Sequence, residues 1–314
     1  MTGANVAQQT RQRPQRASRI ARHENLMGWL CASPWILGFL IFTLGPMLAS
    51  IYYSFTEFPL ISSPEWIGLE NYRLMLSGDK FFFQSLKVTT IYAIVSVPMY
   101  LVIGFFLAVL LNQRIRFVAL WRTIYYLPAV VSGVAVALLW QWIFNSDFGV
   151  ANWLLKLIGI QGPSWLLDPH WALPALIIMS LWGVGGGMVI YLAGLQGVPT
   201  VLYEAAEIDG ANTVQRFVHI TLPMVSPVIF FNLVIGIIAA LQTFTQAFIM
   251  TGGGPRQATY FYMLHLYNNA FQWLKMGYAS ALAWILFFYI LALTLLVFRS
   301  SSAWVYYEGE IKGR

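Results

Sequence analysis

Charged side chains are scarce in this chain. Asp, Glu, Lys and Arg make up 10% of its 314 residues, against roughly 25% in an ordinary soluble domain. With 59% hydrophobic residues and a mean hydropathy of +0.66, it has too little polar surface to cover its apolar one. That excludes a soluble globular protein and points to an integral membrane protein. Cysteine is nearly missing. Cys31 alone permits neither an intramolecular disulfide nor a thiolate cluster, and it reads as a small apolar residue rather than a reactive thiol. His23, His170, His219 and His265 lack metal-ligand spacing. No G-x-x-x-x-G-K-[ST] occurs either. The glycine clusters GVGGG (183–187) and TGGGP (251–255) lack the lysine and hydroxyl that a phosphate-cradling loop needs. The chain is therefore expected to bind no cofactor or metal and to be no enzyme. If it moves a solute uphill, the energy must come from a partner.

Six apolar stretches are long enough to span a bilayer: 28–55, 86–111, 119–144, 172–196, 227–250 and 279–298. The first follows a basic tail, but it is too long for a signal-peptide core and has no small-x-small cleavage site, so it reads as a retained helix. Ionisable groups are nearly absent inside the spans. Lys87, Arg122 and Arg299 fall near span ends, where they can snorkel to the interface. Ion-coupled carriers usually place carboxylates, histidines or lysines within the membrane, so an ion-coupled transporter acting alone is disfavoured. A non-transporting membrane scaffold stays open at this point.

Six spans place both termini on one side. Arg11, Arg13, Arg16, Arg19, Arg22, Arg114, Arg116, Arg122, Arg216, Arg299, Lys312 and Arg314 give that side twelve cations. The other side has six: Arg73, Lys80, Lys87, Lys156, Arg256 and Lys275. The richer side is expected to be cytoplasmic. The layout is then a disordered basic tail (1–26), a transmembrane domain (27–299) and a cytoplasmic C-terminal tail (300–314). The N-terminal tail carries no aromatic before Trp29 and so no base-stacking platform. It reads as an orientation signal beside anionic lipid headgroups, not a nucleic-acid arm.

The most polar run in the second half of the chain is EAAEIDGANTVQRFVHITLP, Glu204 to Pro223. Its loop is long for a plain connection between helices. Pro199 suits a helix start, and Leu202, Ala205, Ala206 and Ile208 supply the apolar residues of a first short helix. Asp209-Gly210 is a turn signal. Val214, Phe217, Val218 and Thr221 have helical spacing for a second helix, from about Thr213 to Thr221, which Pro223 is expected to stop. The segment is thus expected to form a cytoplasmic helical hairpin, with Glu204 and Glu207 one turn apart. From spacing alone, a solvated cap on the bundle and a docking surface are equally good readings.

This stretch resembles the EAA loop of binding-protein-dependent ATP-binding cassette importers, whose pattern is E-A-A, a glycine, then an isoleucine shortly before L-P. Here those residues are Glu204-Ala205-Ala206, Gly210, Ile220 and Leu222-Pro223. GLENYRLML (68–76), WRTIYYLPAVVSGVAVALLWQWIFN (121–145), MTGGGP (250–255) and GYASALAW (277–284) are similar to carbohydrate-type, maltose-permease-like permeases. The maltose permease's extra N-terminal helices and large periplasmic insertion have no counterpart here. The resemblance implies an all-α, polytopic fold of the type I importer permease class, with six spans and a coupling-helix hairpin (199–223). It implies a permease subunit that imports a carbohydrate or related polyol or glycerol phosphate by alternating access. Its implied partners are a second, non-identical permease, two ATPase subunits that use ATP and Mg, and an extracytoplasmic solute-binding protein. The implied location is a bacterial or archaeal inner membrane, with both termini cytoplasmic. Glu204, Ala205, Ala206, Glu207, Asp209, Gly210, Phe217, Ile220, Leu222 and Pro223 would couple to the ATPase.

The resemblance also implies a solute pathway lined from three spans. Its candidates are Ala129 and Gly133 in the third, Ser180, Gly183, Val184 and Gly187 in the fourth, and Gly236, Ala240 and Thr243 in the fifth. The last three are spaced i, i+4, i+7 and share one helical face. Nearby polar and aromatic residues add Ser132, Trp140, Trp182, Gln242 and Gln246. Small residues in membrane helices also serve close packing, and Ser, Thr and Gln also bond between helices. Trp140 and Trp142 fit an interfacial belt equally well. Both readings stay open for each of these residues.

Overall fold

The computed structural model describes residues 19–113 and 115–306. It resolves into two compact units divided at Tyr52/Tyr53. In the first unit, α1 (Arg19–Phe39) passes through a π-helical turn at Leu40–Leu44 into α2 (Gly45–Ser54), and His23–Ser54 is long and apolar enough to cross a membrane. The π turn has a local cause. Pro46 carries no N–H and its ring would clash with the carbonyl one turn back, and a wider turn just before it relieves that clash. Helix begins at Arg19, inside the segment expected to be a disordered tail. The remainder of that tail, and the C-terminal tail beyond 306, lie outside the described residues.

The second unit opens with a two-residue antiparallel pair, β1 (Thr56–Glu57) and β2 (Glu65–Trp66). Then come α3 (Glu70–Ser77), α4 (Lys80–Leu111), α5 (Val118–Val130), α6 (Gly133–Ile143), α7 (Val150–Leu157), α8 (Ala172–Leu181) and α9 (Gly185–Gln196). α10 (Thr200–Ile208), α11 (Thr213–Arg216), α12 (Leu222–Leu241), α13 (Tyr262–Tyr267) and α14 (Met276–Trp304) complete it. α4 is its axis and packs against α8, α9 and α12, while α14 lies on α12. One apolar cluster joins Val88, Tyr92 and Val97 of α4 to Leu176 and Met179 of α8 and Leu241 of α12; another joins Ala108 to Met188, Tyr191 and Val225. Small residues bring the helices close. Gly104 faces the Tyr191 ring, and Gly194 faces Val228. Close backbone approach of this kind replaces the hydrophobic driving force that lipid does not supply.

The spans differ from the expected ones in three places. Among the described residues, four helices are long and apolar enough to cross a membrane, and six spans result when each of two bent pairs counts as one. In the third expected span, α5 and α6 meet at 100°, because Val131 and Ser132 are both extended. In the fourth, α8 and α9 are bent by 42° around residues 182–184. The fifth is a correction: Pro223 does not end a helix. α11 runs through a π-helical turn at Phe217–Thr221 directly into α12, giving one continuous helix, Thr213–Leu241. As at Pro46, the wider turn precedes the proline and absorbs its missing hydrogen bond. The helix then stops at Leu241, short of the expected 250, and a separate π-helical turn occupies Ala247–Thr251.

Candidate functional site

Two places gather the expected site residues. The first is the polar hairpin. α10 forms its first arm, and Gly210 turns the chain with φ +78° and nothing within 4 Å of where a Cβ would sit. The second arm starts on a capping box: Asn212 Oδ1 accepts from Gln215 N at 2.9 Å, and Gln215 Oε1 accepts from Asn212 N at 2.8 Å. A hydroxyl pair, Tyr203 and Thr221 at 2.9 Å, ties the arms. Arg216 and Glu207 lie 3.5 Å apart, but Glu207 is largely exposed, and such pairs contribute at most about 1 kcal/mol. Glu204, Ala205, Glu207 and Asp209 are exposed and Ala206 is half-buried. Phe217 turns inward against Phe105 of α4, and Ile220 joins the cluster around Tyr191. Leu222 and Pro223 begin α12. Ile208 is 87% exposed and Val214 70%, so apolar side chains stand uncovered beside the turn.

The second place is a cavity of about 420 Å³ between α4, α8, α9 and α12. Ser180, Gly187, Gly236, Ala240, Thr243 and Gln246 line it, so six of the expected pathway residues meet in one space. The rest do not reach it. Ser132 and Gly133 are exposed at the α5/α6 bend, and Gln242 is exposed beyond the end of α12. Trp182 packs edge-on against Trp140. Ala129 approaches Gly186 from α5, Val184 is buried, and Gly183 meets the cavity wall only through its carbonyl.

The wall that sequence reasoning missed belongs to the second span. Tyr92, Ser96 and Tyr100 of α4 line the cavity, and Asn232 of α12 joins them. The Tyr100 hydroxyl accepts from Gly187 N at 3.1 Å and donates to the Gly183 carbonyl at 3.4 Å. It thereby satisfies the Gly187 N–H at the α8/α9 break, a group costly to leave unpaired at membrane depth, and shares the Gly183 carbonyl with Gly186 N. The Tyr92 hydroxyl lies beside those of Ser96, Ser180 and Thr243. Asn232 Nδ2 donates to the Val228 carbonyl one turn back at 3.0 Å. The signal was present in the sequence: Tyr92, Ser96 and Tyr100 at i, i+4 and i+8 in the second span, and Asn232, the one amide within α12.

A third cluster lies at the end of α4 away from the hairpin. Asp79 caps that helix, its Oδ1 accepting from Phe81 N at 2.8 Å. Its Oδ2 accepts from His265 Nε2 at 2.8 Å and from the Tyr278 hydroxyl. Nε2 donates there, so Nδ1 is left to accept from Tyr260, 3.2 Å away. Burial by itself would raise the Asp79 pKa. The hydrogen bond from Tyr278 and the attraction of His265 outweigh it, and the carboxyl lies below its usual range. Burial pushes His265 down, and Asp79 only partly offsets this. The pair is therefore a carboxylate held by a neutral imidazole.

Residues 100–305 match the family model of the binding-protein-dependent transport system inner membrane component. Among curated relatives, the chain is 47% identical to the "Probable ABC transporter permease protein YesP" of Bacillus subtilis (strain 168), over 93% of this chain and 96% of that one. It is 35% identical to the "Lactose transport system permease protein LacF" of Rhizobium radiobacter, over 90% and 96%. Among solved structures, a chain of a bacterial alginate ABC transporter, crystallised with an alginate pentasaccharide-bound periplasmic protein, superposes with a TM-score of 0.79. That match has 24% identity and covers 89% of this chain and 95% of that one.

Proposed function

Because the chain belongs to the binding-protein-dependent transport system inner membrane components, we propose that it is the subunit through which an ATPase drives a carbohydrate across the membrane, with the hairpin at Gly210 as the drive point. The observation that carries this reading is the hairpin's construction. Its arms are tied by Tyr203 and Thr221, its second arm is continuous with a spanning helix, and its turn leaves Ile208 and Val214 bare. Uncovered apolar side chains beside Glu204, Glu207 and Asp209 suit insertion into a partner's cleft. A push on such a short rigid element passes straight into α12, which walls the cavity, as rigid-body motion.

In this account the assembly holds a second, non-identical permease, two ATPase subunits and an extracytoplasmic binding protein. ATP and Mg act in the ATPase, and this chain binds no cofactor. The hairpin and both termini face the cytoplasm, where the Arg excess lies. Closure of the ATPase pair draws the hairpin inward and opens the cavity outward to receive solute, and hydrolysis resets it. The experiment is copurification followed by ATP hydrolysis assays. The tagged chain is expected to bring down an ATPase whose turnover rises several-fold with loaded binding protein. Glu204→Lys should abolish that rise while the chain still inserts. Full stimulation in the Glu204→Lys complex, or no ATPase bound to the wild-type chain, overturns the reading.

A further inference from the structure

α7 lies outside the spans, in the connection between α6 and α8, at the end of the bundle away from the hairpin. It has two apolar faces. Ala151 and Leu155 pack on the cluster that holds Phe144, Trp165 and Tyr260. Val150, Trp153, Leu154 and Leu157, spaced i, i+3, i+4 and i+7, form the other face. These four are 52–65% exposed, and Ile158 extends the stripe at 70%. Trp142, in the last turn of α6, is 73% exposed just before it. A bare apolar stripe with tryptophan on it and Lys156 beside it is the make-up of a helix that lies flat at a membrane surface.

The same helix borders a pocket of about 690 Å³. Polar Ser146, Asp147, Lys156 and Gln161 line it together with Val150 and Trp153, so pocket and stripe share two residues. Its walls are pinned. Asn152 Nδ2 donates to the carbonyls of Ser146 and Pro163, both at 3.2 Å, and its Oδ1 accepts from Trp165 Nε1 at 2.7 Å. Asn145 Oδ1 accepts from Asp147 N at 2.9 Å and Phe148 N at 3.2 Å, which fixes the turn that carries Asp147. A Cβ on Gly162 would overlap Asn152 Oδ1, so glycine lets the far wall close on the amide. Asp147 and Lys156 are exposed, and neither has an ion-pair partner among the described residues.

We propose that α7 lies in the headgroup boundary of the bilayer and that the pocket beside it binds the headgroup of a zwitterionic phospholipid, its phosphate toward Lys156 and its amine toward Asp147. The acyl chains run over Val150, Trp153, Leu154 and Leu157. A pocket with one cation and one anion suits a headgroup that carries one charge of each sign, through charge-assisted hydrogen bonds. A purely anionic headgroup would meet Asp147 unfavourably, which gives selectivity. The volume falls within the range of small-ligand sites, roughly 300–1,000 Å³. The proposal needs only that the chain spans a membrane, so it stands or falls separately from the importer reading.

The test uses the full chain, with the subunits that copurify with it, in liposomes. On a Cys31→Ser background, Leu154→Cys and Leu157→Cys carry spin labels. His170→Cys, at a side chain 91% exposed, is the water-facing control. Collision with oxygen relative to a water-soluble nickel chelate is expected to be at least fivefold higher at 154 and 157 than at 170. Equal ratios at the three positions overturn the proposal, because water then covers the stripe. Loss of both kinds of collision at 154 and 157 also overturns it, because another protein then covers the stripe. The headgroup is tested without cysteines. Wild type and the Asp147→Asn, Lys156→Gln double variant, changed only at exposed side chains, are extracted from liposomes of equal phosphatidylethanolamine and phosphatidylglycerol and compared by native mass spectrometry. Wild type should retain a phosphatidylethanolamine whose occupancy falls at least fivefold in the variant. The same lipids retained by both proteins, or phosphatidylglycerol as the lipid that is lost, overturns the assignment.

Discussion

At residue 185 a methyl group has nowhere to go. A Cβ there would fall inside the contact distance of the Tyr125 carbonyl oxygen, and within 2.8 Å of Tyr126 Cα. Both neighbours are backbone, so neither can rotate away, and α9 would have to separate from α5. Gly185→Ala is expected to destabilise the folded protein by about 3 kcal/mol, the upper end for overpacking. Gly210 offers the opposite case. Its surroundings are open and only its φ of +78° favours glycine, so Gly210→Ala should cost about 1 kcal/mol in the turn alone. Gly38, inside α1 in open space with no unusual φ, serves as the control, where alanine gains up to about 1 kcal/mol of helix propensity. Thermal unfolding of the detergent-solubilised protein should rank the three as Gly185→Ala far below Gly210→Ala, with Gly38→Ala at or above wild type. Equal midpoints for the first two would contradict the packing described.

At the scale of elements, the Asp79–His265 pair joins the start of α4 to α13 and, through Tyr278, to α14. His265 is buried and held neutral. The unfolded chain takes up a proton there below about pH 6.5, and the folded one only at lower pH. Stability is therefore complete above that value and falls as pH drops below it. Asp79 has a lowered folded value, so its contribution is present above its ordinary value, about 3.9, and is lost at more acid pH. Between pH 7 and 5 only the histidine acts. The unfolding midpoint should fall over that interval in the wild-type protein and fall less in His265→Gln. An identical slope in both proteins would assign the pH dependence to other groups.

Elements were also where the sequence was most and least informative. Lengths of apolar runs located the spanning segments, and Asp209-Gly210 located the hairpin turn, because these features depend on nearest neighbours. The role of Pro223 was misread because proline's cost in a helix can be relieved by a π-helical turn just before it, a choice that local propensity does not encode. The same limit hid the 100° bend between α5 and α6. Two extended residues, Val131 and Ser132, produce it, yet neither residue type demands extension. In the cavity, Ser180, Gly187, Gly236, Ala240, Thr243 and Gln246 were legible from motif and spacing. The wall on α4 was not. Which face of a mostly apolar helix meets its neighbours is settled by packing, and the Tyr92, Ser96, Tyr100 spacing was the mark of it in the sequence.

For the whole molecule, one helix runs from the hairpin to the cavity. The helix Thr213–Leu241 starts at the hairpin's second arm and carries Asn232, Gly236 and Ala240 to the cavity. Open space around Gly210 leaves room for an aspartate, and the φ of +78° costs it about 1 kcal/mol in the turn, so a defect in Gly210→Asp reports on docking where the variant keeps its subunits. The most direct measurement is solute uptake into proteoliposomes holding the purified complex with its binding protein, with ATP inside, for wild type and Gly210→Asp. The account predicts ATP-dependent uptake by the wild type and at least a tenfold loss in Gly210→Asp, with the same subunits retained. Undiminished uptake by the variant, or uptake by this chain alone on an ion gradient without ATP, would contradict it.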